Sequence, residues 1–252
     1  MTLTFLAHSG FLLEWERFYT LFDYERGEIP PLRADKPLLV FVSHNHADHF
    51  NPVIFSLLAR YPDTRFFLAR DVAMTPRRRE KLGVSDEAFA RVTTLRPDTA
   101  LAVGVAGETL MIRTVKSTDA GVAYLLGCEG RLVYHAGDCN WWHWESEGAA
   151  YCGNMAALYG RAMEKLAAAV ALEAQRQGCA PCIDVAMAPL DPRLGDAYAM
   201  GVEKLLRTVS VKKLFPMHLW GEFGAVTRYR AAHPQRAETV MPITRDGEVF
   251  PL

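Results

Sequence analysis

Three histidines and one aspartate fall within six residues, in the segment Ser43-His44-Asn45-His46-Ala47-Asp48-His49. Imidazole and carboxylate are the donors of zinc, manganese and iron sites. Four such groups this close together must be hydrogen-bonded or bound to metal, because an unpaired buried polar group is costly. The alternative is a solvated turn that happens to be rich in histidine. The chain has only 8 histidines, and three of them sit here. That concentration favours a metal or catalytic site.

Strands and helices on either side of the segment hold these donors in place. The apolar run at residues 37–42 reads as a buried strand, set off by the polar residues 33–36 before it. The strand therefore delivers His44, His46, Asp48 and His49 to one sheet edge. Residues 18–22 form another strand-like run, ending at Asp23. Residues 2–15 and 17–22 read as an N-terminal hairpin, interrupted at His8-Ser9-Gly10. Further strands are expected at 65–69, 110–115, 122–126, 131–134, 183–188 and 213–215. Helices are expected at 52–60, near 85–89, at 153–177, at 196–208 and at 223–232, with Gly178 as the stop of the long one. The period switches from 2 to 3.6 and back, which suits two sheets with helices outside them.

The H-x-H-x-D-H spacing resembles the signature of the metallo-β-lactamase superfamily. The resemblance implies a four-layer αββα sandwich of two mixed sheets with outer helices. It also implies two metal sites, with His44 and His46 at the first and Asp48 and His49 at the second. Asp138, in the Gly-Asp that follows strand 131–134, resembles the family's bridging aspartate. A carboxylate can bridge because it has two oxygens and several lone pairs. His218, after strand 213–215, resembles the family's last histidine, a donor to site two. Asp23 matches an outer carboxylate that orients the His-rich loop. Its bland alternative is an ordinary turn residue. His8-Ser9 resembles an element of the lactonase-like branch, where His8 would line the site, although a lone histidine in a strand is more often structural.

One element departs from the pattern. The family has a third site-one histidine between the H-x-H-x-D-H and the Gly-Asp, yet no histidine occurs from Phe50 to Tyr134. The position falls near Ser117 to Asp119. Asp119 could bind directly, Ser117 could leave a gap for water, and His135 and His143 are further candidates. Past Asp138, the segment Cys139-Asn140-Trp141-Trp142-His143-Trp144 would build an aromatic wall, with Trp141 and Trp142 as candidates to contact substrate. Core packing is the alternative. Together with Ser117-Thr118-Asp119 and Asp191-Pro192-Arg193-Leu194-Gly195-Asp196, this segment resembles a bacterial subgroup of metallo-β-lactamase-fold proteins of unassigned substrate. Arg193 could hold an anionic group through its planar guanidinium, or simply pair with Asp191 or Asp196.

Composition narrows the classes. The donors span residues 44 to 218 and must converge, so residues 1–252 are expected to form one domain. The formal net charge is -1, which gives no global attraction for nucleic acid. No run of 18 apolar residues and no charged-then-apolar start is visible, so neither a membrane span nor a signal peptide is expected. Five cysteines, an odd number, suit free thiols in a cytoplasm. The Cys179-Ala180-Pro181-Cys182 pair lacks a partner pair and reads as chance spacing.

The sequence thus points to a metal-dependent hydrolase using one or two divalent ions, zinc first, with manganese or iron as alternatives. The ions would polarise the scissile bond and supply hydroxide at neutral pH, and Asp48 would hydrogen-bond the attacking water or take its proton. The substrate would be a small ester, lactone or phosphodiester. The alternatives are a mononuclear or iron-dependent redox protein on the same fold, and a non-catalytic metal- or ligand-binding protein with a degenerate first site. Metal content separates these. The sequence leaves the oligomeric state open.

Overall fold

The computed structural model describes all 252 residues. The chain opens with an antiparallel meander, β1 (Thr2–Ala7), β2 (Gly10–Glu14) and β3 (Tyr19–Phe22), and then enters β4 (Leu38–Val42) and β5 (Thr64–Ala69). Helices α1 (Pro76–Leu82) and α2 (Asp86–Ala90) lead to β6 (Val92–Leu95), β7 (Ala100–Val105), β8 (Glu108–Lys116), β9 (Val122–Cys128) and β10 (Arg131–His135). The long α3 (Gly148–Gln177) precedes β11 (Cys182–Pro189), α4 (Met200–Thr208), β12 (Ser210–Met217), α5 (Gly224–Ala232) and β13 (Glu248–Pro251). Two mixed sheets result, ordered β13-β1-β2-β3-β4-β5-β6 and β12-β11-β10-β9-β8-β7. The architecture is the αββα sandwich that the sequence led us to expect.

Alternation explains how the layers face each other. On β5, Phe67 stacks on Phe41 of β4, 5.0 Å between ring centroids, while its neighbour Phe66 meets Phe55 at 4.9 Å on the 3-10 helix Pro52–Ala59. Successive side chains of a strand point to opposite faces, so one ring goes inward and the next outward. Phe41 then meets Tyr124 of β9 across the sandwich at 5.2 Å, and the Tyr124 hydroxyl donates to the Val42 carbonyl at 2.9 Å. The buried apolar cluster runs unbroken from Leu3 to Phe250. On the far side, α3 packs on β8 and β9, and α4 on β11 and β12.

Strand direction places the site. β3 and β4 pair parallel, as do β10, β11 and β12, so each group ends its strands on one edge. β1 is antiparallel to β2, which is antiparallel to β3, so β1 ends on the same edge as β3. β8 likewise ends with β10, two antiparallel steps away. The residues that follow β1, β3, β4, β8, β10, β11 and β12 therefore gather at one rim.

Several elements differ from the sequence reading: strands 110–115 and 213–215 extend to Glu108–Lys116 and Ser210–Met217, and the helix expected at 52–60 is a 3-10 helix. The N-terminal segment is a three-stranded meander rather than one hairpin, because His8 and Ser9 form a tight turn with His8 in the left-handed region, φ 47°. Helix α3 starts at Gly148 and runs through Gly153, since packing outweighs the cost of a helical glycine. The expected helix 196–208 is split: Gly195, at φ 58°, kinks a 3-10 stretch, and α4 proper begins at Met200. No helix is long and apolar enough to cross a membrane.

Candidate metal centre

Asp138 sits at the middle of the rim. Its Oδ2 lies 3.2 Å from His44 Nε2 and 3.9 Å from His46 Nδ1. Its Oδ1 lies 3.0 Å from His49 Nε2 and 2.8 Å from His218 Nε2. One carboxylate thus faces two histidine pairs, one pair per oxygen. Asp48 Oδ2 adds a further carboxylate to the second group, 3.9 Å from His49 Nε2. All six residues expected from the sequence to be donors meet here, although they come from three separate loops.

Neighbouring groups fix how these rings are turned. The Asp23 carboxylate accepts from the Ser43 amide at 2.7 Å, from Ser43 Oγ at 2.6 Å, and from His49 Nδ1 at 2.7 Å. Ser43 Oγ spends its only hydrogen on Asp23, so at 2.9 Å it accepts from His44 Nδ1. His49 and His44 therefore both carry their hydrogen on Nδ1 when neutral and aim Nε2 lone pairs at Asp138. His218 Nδ1 lies 3.4 Å from Asp191, which orients it in the same sense. A carboxylate behind a ligating imidazole, fixing its tautomer, is the usual support of a metal-binding histidine.

That arrangement cannot stand as bare lone pairs. His49 Nε2 and His218 Nε2 are 2.8 Å apart, and each is within 3.0 Å of the same carboxylate oxygen. His44 Nε2, His8 Nε2 and Asp138 Oδ1 are buried without a hydrogen-bond partner. Acceptors converging at such distances need a proton or a cation between them. Imidazole and carboxylate donors this close together are the set that would hold a small divalent cation. Three groups of His and Asp lie close enough together to hold an ion: His44, His46 and Asp138; His8, Asp48, His49 and His218; and Asp23, His44 and His49. The residues present thus fit a divalent metal.

The cluster's electrostatics agree. Burial alone would lower the His49 pKa, but the carboxylates of Asp138, 3.0 Å from Nε2, and Asp23, hydrogen-bonded to Nδ1, hold it up at about 10. His218 is likewise raised by Asp138 and Asp191 against the effect of its burial. For Asp138, burial would raise the carboxyl pKa, but the surrounding imidazoles hold it well below the usual range. The cluster demands positive charge.

Two glycines let the loops close on Ser43. A Cβ on Gly121 would fall 1.9 Å from the Ser43 carbonyl oxygen, and one on Gly137 would fall 2.6 Å from Ser43 Cβ. Both glycines are also left-handed, at φ 63° and 51°. The Gly in the Gly-Asp step is therefore required by crowding as well as by its own backbone.

The remaining candidates divide. Asp119 Oδ2 stands 4.0 Å from His46 Nδ1, both half exposed at the mouth. Ser117 is turned elsewhere and accepts from the Asp119 amide. His135 is not available to complete site one: its Nε2 donates to the Ser9 carbonyl at 3.0 Å, its Nδ1 accepts from Gly137, and its ring stacks on Phe22. His143 belongs to none of the three donor groups. Cys139 is buried in the core, its thiol pushed up to about 12 by burial. His8 is buried against Asp48, 3.2 Å away, rather than on the wall of the open cleft.

The cleft over the cluster has a volume of about 240 Å³. Its walls include Trp142, Trp144, Trp220, Tyr151, Met155 and Arg193. Trp141, a candidate from sequence, is not on this wall; it packs against the main core, and Trp144 takes the place beside Trp142. Arg193 lies over the Trp220 ring at 4.1 Å and grips Asp191 through Nε and Nη2. Sequence reasoning missed Trp220 and the full burial of Asp191 behind His218.

A family model described as "Beta-lactamase superfamily domain" matches residues 20–219. The chain belongs to that superfamily. No curated protein sequence matches it. Among solved structures, it resembles Igni18, a metallo hydrolase from Ignicoccus hospitalis KIN4/I, with 18% identity, a TM-score of 0.59, and coverage of 100% of this chain and 98% of that one. It also resembles an isothiocyanate hydrolase from Delia radicum gut bacteria, at 13% identity, TM-score 0.55, and 100% and 99% coverage. CmlA, a diiron β-hydroxylase from Streptomyces venezuelae, aligns at 12% identity and TM-score 0.60 over 100% of this chain and 54% of that one. At these identities the likenesses show the fold.

Proposed function

We propose that this protein is a metal-dependent hydrolase of a small ester, lactone or phosphodiester. The observation that carries the reading is Asp138, whose two oxygens face two separate histidine pairs. In this reading His44, His46 and Asp138 hold one divalent ion, and Asp48, His49, His218 and Asp138 hold a second. When bound, such ions supply Lewis acidity and water of lowered pKa.

The chain's own residues do the rest. Asp23 and Asp191 orient the imidazoles. The Asp48 carboxyl is held well below the usual range, against its burial, by the His8 contact and the His49 charge. It therefore stays ionised and can accept a hydrogen bond from the attacking water. The tryptophan walls exclude solvent and hold an apolar part of the substrate. Arg193 Nη1 makes no hydrogen bond to the protein, leaving one guanidinium nitrogen free for a carboxylate or phosphate oxygen. The five free cysteines suit action in the cytoplasm, and the partner is a small molecule rather than nucleic acid.

A second reading rests on Asp119. If it joins His44, His46 and Asp138, the first site has two imidazoles and two carboxylates, a harder donor set that suits manganese or iron and opens oxygen chemistry. One experiment separates the readings. Metal-depleted protein is reloaded with zinc, manganese or iron and assayed on a panel of esters, lactones and phosphodiesters. Turnover that is lost in Asp48→Ala supports hydrolysis. Oxygen uptake with iron, and no hydrolysis with any metal, would favour the second reading.

A further inference from the structure

The histidine absent from site one has a counterpart on the other side of the cluster. His8 follows β1 at the same rim as the other donors. Its Nε2 lies 3.2 Å from Asp48 Oδ2, without hydrogen-bond alignment, and is buried with no partner. It shares one tight group with Asp48, His49 and His218, in which all four donor atoms lie within 4.8 Å of one another. Its ring centroid is 4.2 Å from that of His218 and 4.4 Å from that of Trp220, so there is no room for substrate on those sides.

The backbone is built around this placement. The His218 amide donates to the His8 carbonyl, and Ser9 Oγ donates to the Asp48 carbonyl at 3.0 Å. The turn is thereby tied to both loops of the second group. His8 and His218 are both left-handed, at φ 47° and 61°. Non-glycine residues in that region carry strain, which surrounding structure must impose. Here the strained pair is joined by a hydrogen bond and aims two imidazoles at one point.

We propose that His8 is itself a metal donor through Nε2, completing Asp48, His49, His218 and Asp138 as a five-donor second site that fills before the first. This rests on the metal-dependent reading above. It assigns the N-terminal turn a role in holding the ion, and leaves the open positions needed by substrate and water at the poorer first site.

The test is a titration of metal-depleted protein with Co²⁺ alone, for the wild type, His8→Gly and His8→Asn. Glycine and asparagine both tolerate the left-handed backbone, so the turn is kept. The first equivalent is expected to bind more than roughly tenfold more weakly in both variants, the scale already set by losing an outer partner of a ligand. Added imidazole is expected to restore affinity in His8→Gly. Independently of any variant, wild-type protein carrying one equivalent of Co²⁺ should show three paramagnetically shifted, exchangeable ring N–H protons, from His8, His49 and His218. Two such protons, or variants with unchanged first-step affinity and cobalt spectrum, would overturn the role of His8 alone. Failure of the wild type to bind Co²⁺ at all would overturn the metal-dependent reading with it. If both variants fail to fold, the wild-type proton count decides.

Discussion

Replacing Asp23 by Asn tests how the outer carboxylate governs the cluster. The two side chains are isosteric, and asparagine accepts the φ of 41° at this position, so the backbone is not perturbed. The hydrogen-bond pattern is. Oδ1 accepts from the Ser43 amide, and Oδ2 accepts from Ser43 Oγ and His49 Nδ1. An amide group has one accepting atom. With its NH₂ at the Oδ1 position it confronts the Ser43 N–H; at the Oδ2 position it confronts two donors. At least one buried donor loses its acceptor in either case, at a cost of about 1–3 kcal/mol. For a chain of this size that lowers Tm by roughly 2–12 °C. His49 also loses the carboxylate that fixes its Nδ1–H tautomer. Loss of such a partner weakens metal binding about 10- to 100-fold, or about 1.4–2.7 kcal/mol. The assay is competition for Zn²⁺ against a chromogenic chelator, with calorimetric melting of the metal-depleted protein alongside. An Asp23→Asn variant with wild-type affinity and wild-type Tm would show that Asp23 does not govern the cluster.

Three further outcomes are expected. Gly121→Ala places a methyl 1.9 Å from the Ser43 carbonyl at a left-handed position, and should lower Tm or abolish soluble expression; an unchanged melting curve would show that the loop gives way freely. At pH 7 the metal-free cluster holds a proton, because the His49 pKa is raised from 6.5 to about 10. The ion must displace it, so binding should release about one proton and strengthen as pH rises toward 10; heats of binding independent of buffer ionisation enthalpy would contradict this. Under the second reading, Asp119→Ala should weaken the second metal-binding step while His143→Ala leaves it unchanged, since of these two only Asp119 stands near His46; an unchanged second step in Asp119→Ala would leave the first site to His44, His46 and Asp138.

Much of the site was readable because its donors follow buried strands. The run Leu38–Val42 has an unmistakable apolar pattern, and the H-x-H-x-D-H after it has little use without a metal. Asp138 and His218 follow parallel strands in the same way, so order along the chain anticipated convergence in space. His8 was harder. Its place depends on a reversal of β1 that the 2–15 run does not announce, with apolar residues continuing on either side of the turn. The available signal was strand direction: in a meander, β1 must end on the rim where β3 ends. The tryptophan segment misled for a local reason. Trp142 and Trp144 share one face, with stacked rings 6.3 Å apart, while the half-buried Trp141 packs against the main core, and a loop gives no period from which to choose. Asp191 was legible as a partner of Arg193 but not as a buried support of His218, because that contact joins loops after β11 and β12.

In the proposed metal-dependent reading, one carboxylate, Asp138, serves two metal sites of unequal strength. The most direct test is a stoichiometric titration of metal-depleted protein with Zn²⁺, followed by elemental analysis, for the wild type and Asp138→Ala. The wild type should bind in two steps, the second weaker, and the variant should be weakened in both. Binding of Zn²⁺ unaffected by loss of Asp138, or no binding by the wild type, would contradict the claim.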